Sequence, residues 1–155
     1  MTKTHRSNLA KTAIYLLEKV KDEKFDMKSY ALFENKNRIL PHEVIANYNK
    51  CGTTCCFAGH APMALGINPD SEISKIENWP DYISMVFGIY YYDKSWVFLF
   101  SEHWSNSKKQ AAARTIVFLE SGTPENIIYD EKRFLPSLTK EQLIKRLKPF
   151  VILGK

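Results

Sequence analysis

Apolar residues first recur at helical spacing from Leu9, where Leu9, Ala10, Ala13, Ile14, Leu16, Leu17 and Val20 form one stripe. Ser7 stands where a helix cap belongs. The charged run from Lys21 to Lys24 ends the stripe, and Phe25 to Tyr30 begins a new element, with Asp26 placed to accept from free amides of a following turn. Phe25 and Met27 are expected to dock that turn onto the core. From Glu34 to Pro41 the chain is charged and polar apart from its end and reads as a loop.

The pattern changes at Gly52. Thr53, Thr54, Cys55, Cys56, Ala58, Gly59, Ala61 and Ala64 leave few bulky side chains between Cys51 and Ala64, which predicts a tightly packed helix starting just after Cys51. Pro62 lacks an amide donor and crowds the preceding turn, so a break or kink is expected near His60. Asn78-Trp-Pro-Asp81 opens another helix, with Pro80 in its first turn and Gly88 as its stop. The aromatic, β-branched stretch Ile89 to Phe100, broken by Asp93-Lys-Ser95, predicts a two-stranded hairpin, with a helix over Trp96 to Phe100 as the alternative. Ser107 to Ser121 is a helix stopped by Gly122. Thr139-Lys-Glu-Gln142 has the form of a capping box and starts a last helix through Leu143, Ile144 and Leu147. The expected fold is mainly α within an α+β description: one compact helical domain over residues 1–155 with a short aromatic β-hairpin.

Composition narrows the classes. A chain of 155 residues, 45% hydrophobic, buries a real core without structural metal or disulfides. Its first apolar run, Thr12 to Leu17, is interrupted by Glu18 and Lys19, too short for a secretory signal. No segment approaches the roughly 18 apolar residues of a membrane span. A cytoplasmic location is expected, with Cys51, Cys55 and Cys56 reduced. Basic residues number 22 against 17 acidic, and between Lys132 and Lys155 seven of them meet the single acid Glu141. Such asymmetry suits a phosphate backbone or an acidic protein.

Cys51 draws attention because a helix N-terminus lowers a thiol pKa and a nearby histidine lowers it further. His60 and His103 are its candidate catalytic partners, with His42 as a further one. The competing reading is a cysteine packed in a small-residue segment. Cys51, Cys55, Cys56 and His60 are all zinc-compatible, yet residues four apart share a helix face while adjacent ones do not, and paired two-residue spacing is absent; no metal site is expected. Ser101-Glu-His-Trp104 lacks a nucleophile elbow. Phosphate-binding glycine loops are missing, so nucleotide hydrolysis is not expected, and no cofactor is expected. For nucleic acid, the last helix offers Lys140, Lys145, Arg146 and Lys148, with Phe134 and Phe150 available for stacking; without a reader motif this would be salt-sensitive backbone binding.

Four segments carry a resemblance: Phe25-Asp-Met27, Cys51-Gly-Thr-Thr-Cys-Cys-Phe-Ala-Gly-His-Ala61, Phe98-Leu-Phe-Ser-Glu-His-Trp104, and Ala113-Arg114 leading to Phe118-Leu119, Gly122 and Pro124. On these the chain resembles a loosely defined group of short phage and bacterial proteins of unknown function, the second segment being the most specific. The resemblance implies no catalytic residues. It implies a setting, that of small phage accessory proteins which bind host machinery. The expected function is binding of a host protein or nucleic acid. The alternatives are a cysteine-dependent hydrolase or transferase using Cys51 with a histidine, and a basic nucleic-acid-binding protein.

Overall fold

A computed structural model describes residues 1–28, 31–32, 39–47, 54–104, 107–126 and 137–152. The fold is mainly helical. In chain order the elements are α1 (Lys3–Lys19), β1 (Ala31–Leu32), α2 (Pro41–Asn47), β2 (Thr54–Cys55), α3 (Phe57–Leu65), α4 (Trp79–Phe87), α5 (Lys94–Phe100), α6 (Lys108–Ser121) and α7 (Lys140–Leu147). Short 3-10 turns lie at Asp22–Lys24, Glu72–Lys75 and Lys148–Phe150.

Helix α1 is the centre of the packing, touching α3, α4, α6, α7 and the Lys148–Phe150 turn. Its apolar stripe explains this: Leu9, Ala10, Ala13 and Leu16 are fully buried. The helix starts earlier than its stripe suggests. Thr2 is the cap, its hydroxyl accepting the His5 amide at 3.2 Å while its own amide donates to His5 Nδ1 at 3.4 Å. Ser7, the expected cap, lies inside the helix. It is buried, and its hydroxyl accepts the Ile152 amide at 2.9 Å. Arg6 donates to the Leu119 carbonyl and lies over the Phe150 ring at 5.2 Å.

Phe25 and Met27 dock as expected, both buried. Phe25 bridges to Cys55, and the Asp26 amide donates to the Cys55 carbonyl at 3.1 Å. Each strand of the sheet is two residues long: β1 pairs antiparallel with β2, Ala31 opposite Cys55 and Leu32 opposite Thr54. The small-residue segment is therefore strand before it is helix. The helix begins at Phe57, capped by Cys56, and not just after Cys51. It also runs through His60 and Pro62 to Leu65 without ending there. Proline removes one intrahelical bond near the end of a short helix, and the carbonyls of Pro62 and Met63 are taken up by the amides of Ile67 and Gly66.

The stretch from Ile89 to Phe100 is not a hairpin. Lys94 to Phe100 form α5, with Asp93 as its cap position. Tertiary packing decides this against β propensity: Phe100 meets Phe57 at 6.0 Å, Phe87 at 5.7 Å and Trp96 at 5.6 Å, so Trp96 and Phe100, four apart, need one helix face toward the aromatic cluster. Helices α4, α6 and α7 follow expectation, with Asn78, Ser107 and Thr139 accepting from Asp81, Gln110 and Gln142 and a full capping box at Thr139.

Gly88 ends α4 with φ of 66° in the left-handed region. Its α-carbon faces the His5 ring so closely that a Cβ would overlap it. Gly66 ends α3 with φ of 59° but faces open space. Gly66→Ala therefore incurs only the backbone cost of about 1 kcal/mol, and Gly88→Ala incurs that cost plus displacement of the His5 cap. Urea denaturation of both variants should give the larger loss at Gly88 by at least about 1 kcal/mol.

Candidate functional site

His60 sits in the middle of α3, 1% exposed. Its Nε2–H donates to the Lys24 carbonyl at 2.9 Å, and its ring stacks on Phe25 at 6.2 Å. Burial pulls its pKa down to about 4, against the opposing pull of hydrogen bonds to the backbone of Lys24 and Cys55, and Lys108 pushes it lower still. At neutral pH the ring is uncharged, and it ties α3 to the turn before β1.

The two described thiols lie beside it. Cys56 occupies the helix-cap position that was expected for Cys51, and the amides of Ala58 and Gly59 do favour its thiolate. Burial outweighs them and drives the pKa up to about 11. The Cys55 thiol is pushed up further, first by burial and then by Cys56, with Lys24 opposing. A helix N-terminus is worth at most about 2 kcal/mol, whereas removing a thiolate from water costs more. Both thiols stay protonated, so this cluster is not poised for nucleophilic chemistry at neutral pH.

Cys51 itself lies outside the described residues, as do Gly52, Thr53, Phe134 and most of the expected loop from Glu34 to Pro41. His103 is exposed in the turn after α5, its amide held by Ser101 Oγ at 3.2 Å. It occupies the surface while His60 occupies the core. Among the described residues no group of three or more metal-ligating side chains gathers.

The basic residues of the last helix separate into three settings. Lys145 and Lys148 are exposed. Arg146 is held by Glu120, its Nε at 3.0 Å from one carboxylate oxygen and its Nη2 on the other. Phe150, a candidate for stacking, lies under Arg6 instead. Lys140 shares a cavity of about 410 Å³ with Leu17, Asp22, Ser107, Lys108 and Lys109. Spacing along the last helix did not foreshadow this, because Lys108 and Lys109 come from α6.

A surface missed by sequence reasoning lies between α4 and α5. Tyr90, Tyr91 and Tyr92 are 63%, 56% and 94% exposed. The turn beneath them is fixed: the Asp93 amide donates to the Tyr90 carbonyl at 2.9 Å, and the Tyr90 amide donates to the Asp93 carboxylate at 3.2 Å. Tyr91 sits edge-on to Tyr92 at 5.6 Å and to buried Trp96 at 5.1 Å. Val97, beside Trp96 on α5, adds exposed aliphatic surface. The signal was Asp93 followed by aromatic residues at helical spacing, which turns the tyrosines from strand into knuckle.

No family model, curated protein or solved structure matches the chain. Among the described residues, no helix is long and apolar enough to cross a membrane.

Because the folded state resists protonating His60, its share of stability is complete above the ordinary pKa of 6.5 and is lost as pH falls toward about 4. The unfolded chain binds the proton first, so unfolding free energy should decline across this window with a slope reaching about 1.4 kcal/mol per pH unit from this residue. Denaturation of wild type and His60→Gln at a series of pH values isolates it: the wild-type slope should exceed the variant's, and equal slopes contradict a buried neutral ring. In the same preparations Cys55 and Cys56 should resist iodoacetamide at pH 8 until the protein unfolds, read by peptide mass spectrometry.

Proposed function

We propose that the protein is a non-catalytic binding protein of the phage accessory type, working in the cytoplasm of a bacterial host, and that it engages a host protein through the Tyr90–Tyr92 knuckle. The observation that carries this reading is the exposure of three consecutive tyrosines on a turn closed by two hydrogen bonds between Tyr90 and Asp93. Tyrosine gives a large contact area with one hydroxyl for orientation, and a turn pinned by Asp93 loses little entropy when it is covered. Aromatic anchors of this kind dominate protein interfaces, where they enter pockets of a partner.

A protein partner fits the knuckle better than nucleic acid does. The charges adjoining the tyrosines in the chain are Asp93 and Lys94, one of each sign, so no positive field favours a polyanion there. The exposed lysines of α7 supply such a field without the aromatic platform, since Phe150 is engaged by Arg6. The buried state of Cys55, Cys56 and His60 supports binding over catalysis among the described residues.

Affinity capture from a bacterial lysate with wild type and a Tyr91→Ala/Tyr92→Ala variant tests the reading. Tyr92 is almost fully exposed, so its loss should change stability by less than about 0.5 kcal/mol. The expected result is a defined protein, retained after nuclease treatment and moderate salt, that binds the variant at least about tenfold more weakly in a purified assay. Equal retention by the variant overturns the knuckle as the site, and capture abolished by nuclease overturns the protein partner in favour of nucleic-acid binding by the basic residues.

A further inference from the structure

The cavity shared by α6 and α7 is separate from the tyrosine knuckle, and its electrostatics are unusual for a solvated surface. The two helices run in the same sense: Lys140 at the start of α7 meets Lys108 and Lys109 at the start of α6, while Arg146 late in α7 pairs with Glu120 late in α6. Both positive helix ends therefore lie on one side. Helices normally place acids in the first turn, where the dipole favours negative charge. Helix α6 has no acid there and instead has Lys108 and Lys109 directly after its Ser107 cap. Helix α7 opens with Lys140 beside Glu141.

One of the three lysines is already committed. Lys108 is largely buried, its ammonium 3.0 Å from the Asp22 carboxylate and bonded to the Val20 carbonyl at the end of α1. Lys109 and Lys140 are exposed and make no ion pair among the described residues, although they face the same cavity. Against three ammonium groups the lining offers one carboxylate, already used. The volume of about 410 Å³ falls in the range of small-molecule sites, about 300–1,000 Å³. Leu17 supplies an apolar wall, and Lys108 anchors the floor.

We propose that this cavity binds a phosphate-bearing ligand, with Lys109 and Lys140 as the contacting cations and Lys108 as the fixed positive floor. A multiply charged anion relieves the repulsion that the lysines suffer from each other and from the two helix dipoles. A phosphate group can arrive on a free phosphoester or at the 5′ end of a nucleic acid, and the lining chemistry suits both.

Inorganic pyrophosphate is the first probe, titrated calorimetrically into the full chain at low ionic strength. The expected result is saturable one-to-one binding, weakened at least tenfold in Lys109→Gln/Lys140→Gln and unchanged in Lys145→Gln/Lys148→Gln, with amide shifts centred on Ser107 to Gln110 by NMR. Without ligand, the first variant should melt no lower than wild type, because it removes cations from positive helix ends. Lack of saturable binding, or equal weakening in both variants, overturns the proposal, the second by showing diffuse charge in place of a site. Competition then separates the sources: displacement of pyrophosphate by a 5′-phosphorylated oligonucleotide but not by its unphosphorylated form assigns a nucleic-acid end, and displacement by a mononucleotide alone assigns a free phosphoester.

Discussion

The packing of α3 against α1 is the constraint on which the rest of the molecule depends. Both helices bury small residues, Ala10 and Ala13 in one and Ala58 and Ala61 in the other. Small side chains allow helix axes to approach closely, and close approach excludes water from whatever polar groups the segment carries. That exclusion keeps the His60 ring neutral and the Cys55 and Cys56 thiols protonated. A segment whose residue types suggest chemistry thus becomes structural through dryness. The His60 ring, dry as it is, holds the framework by donating to the Lys24 carbonyl.

With α1 fixed at the centre, the other helices arrange themselves around it, and their direction has electrostatic results. The Arg146–Glu120 pair ties the late turns of α6 and α7 together. Their early turns are then brought side by side, where Lys108, Lys109 and Lys140 concentrate positive charge. The acid that answers one of them, Asp22, comes from the turn that follows α1. Charge in this protein is therefore distributed by helix direction more than by the count of basic residues along any single helix.

What the sequence made legible was what short-range chemistry decides. Asn78, Ser107 and Thr139 are caps because each offers a side-chain acceptor just before an apolar run, and Gly88 and Gly122 are stops for equally local reasons. The errors arose where a local signal took an unusual form or where distant residues decide. Thr2 caps α1 with His5 in the place usually taken by Glu or Gln, so the box was not apparent. Ile89 to Phe100 has β-forming side chains, yet Phe57 and Phe87 recruit Phe100 to a helix. Thr54 and Cys55 become strand because Ala31 and Leu32 are there to pair with them. The lysine cavity was hidden because it joins residues from two helices, and the tyrosine knuckle because strand and turn expose different faces. The small-residue segment packs tightly, as its composition predicts, but its helix starts at Phe57, later than that composition suggests.

The bond from the Ile152 amide to the Ser7 hydroxyl closes a loop of 145 residues, and Arg6 reaches Leu119 across 113. Contacts this distant join α1 to the α6 and α7 end of the fold, and such contacts form slowly because the intervening chain must close first. On the ribosome α1 is made before α6 and α7, the helices that cover it. Its apolar stripe must wait for those helices, so the vulnerable stage for this chain is the nascent one, before the Lys148–Phe150 turn is available to shield the helix around which it is built.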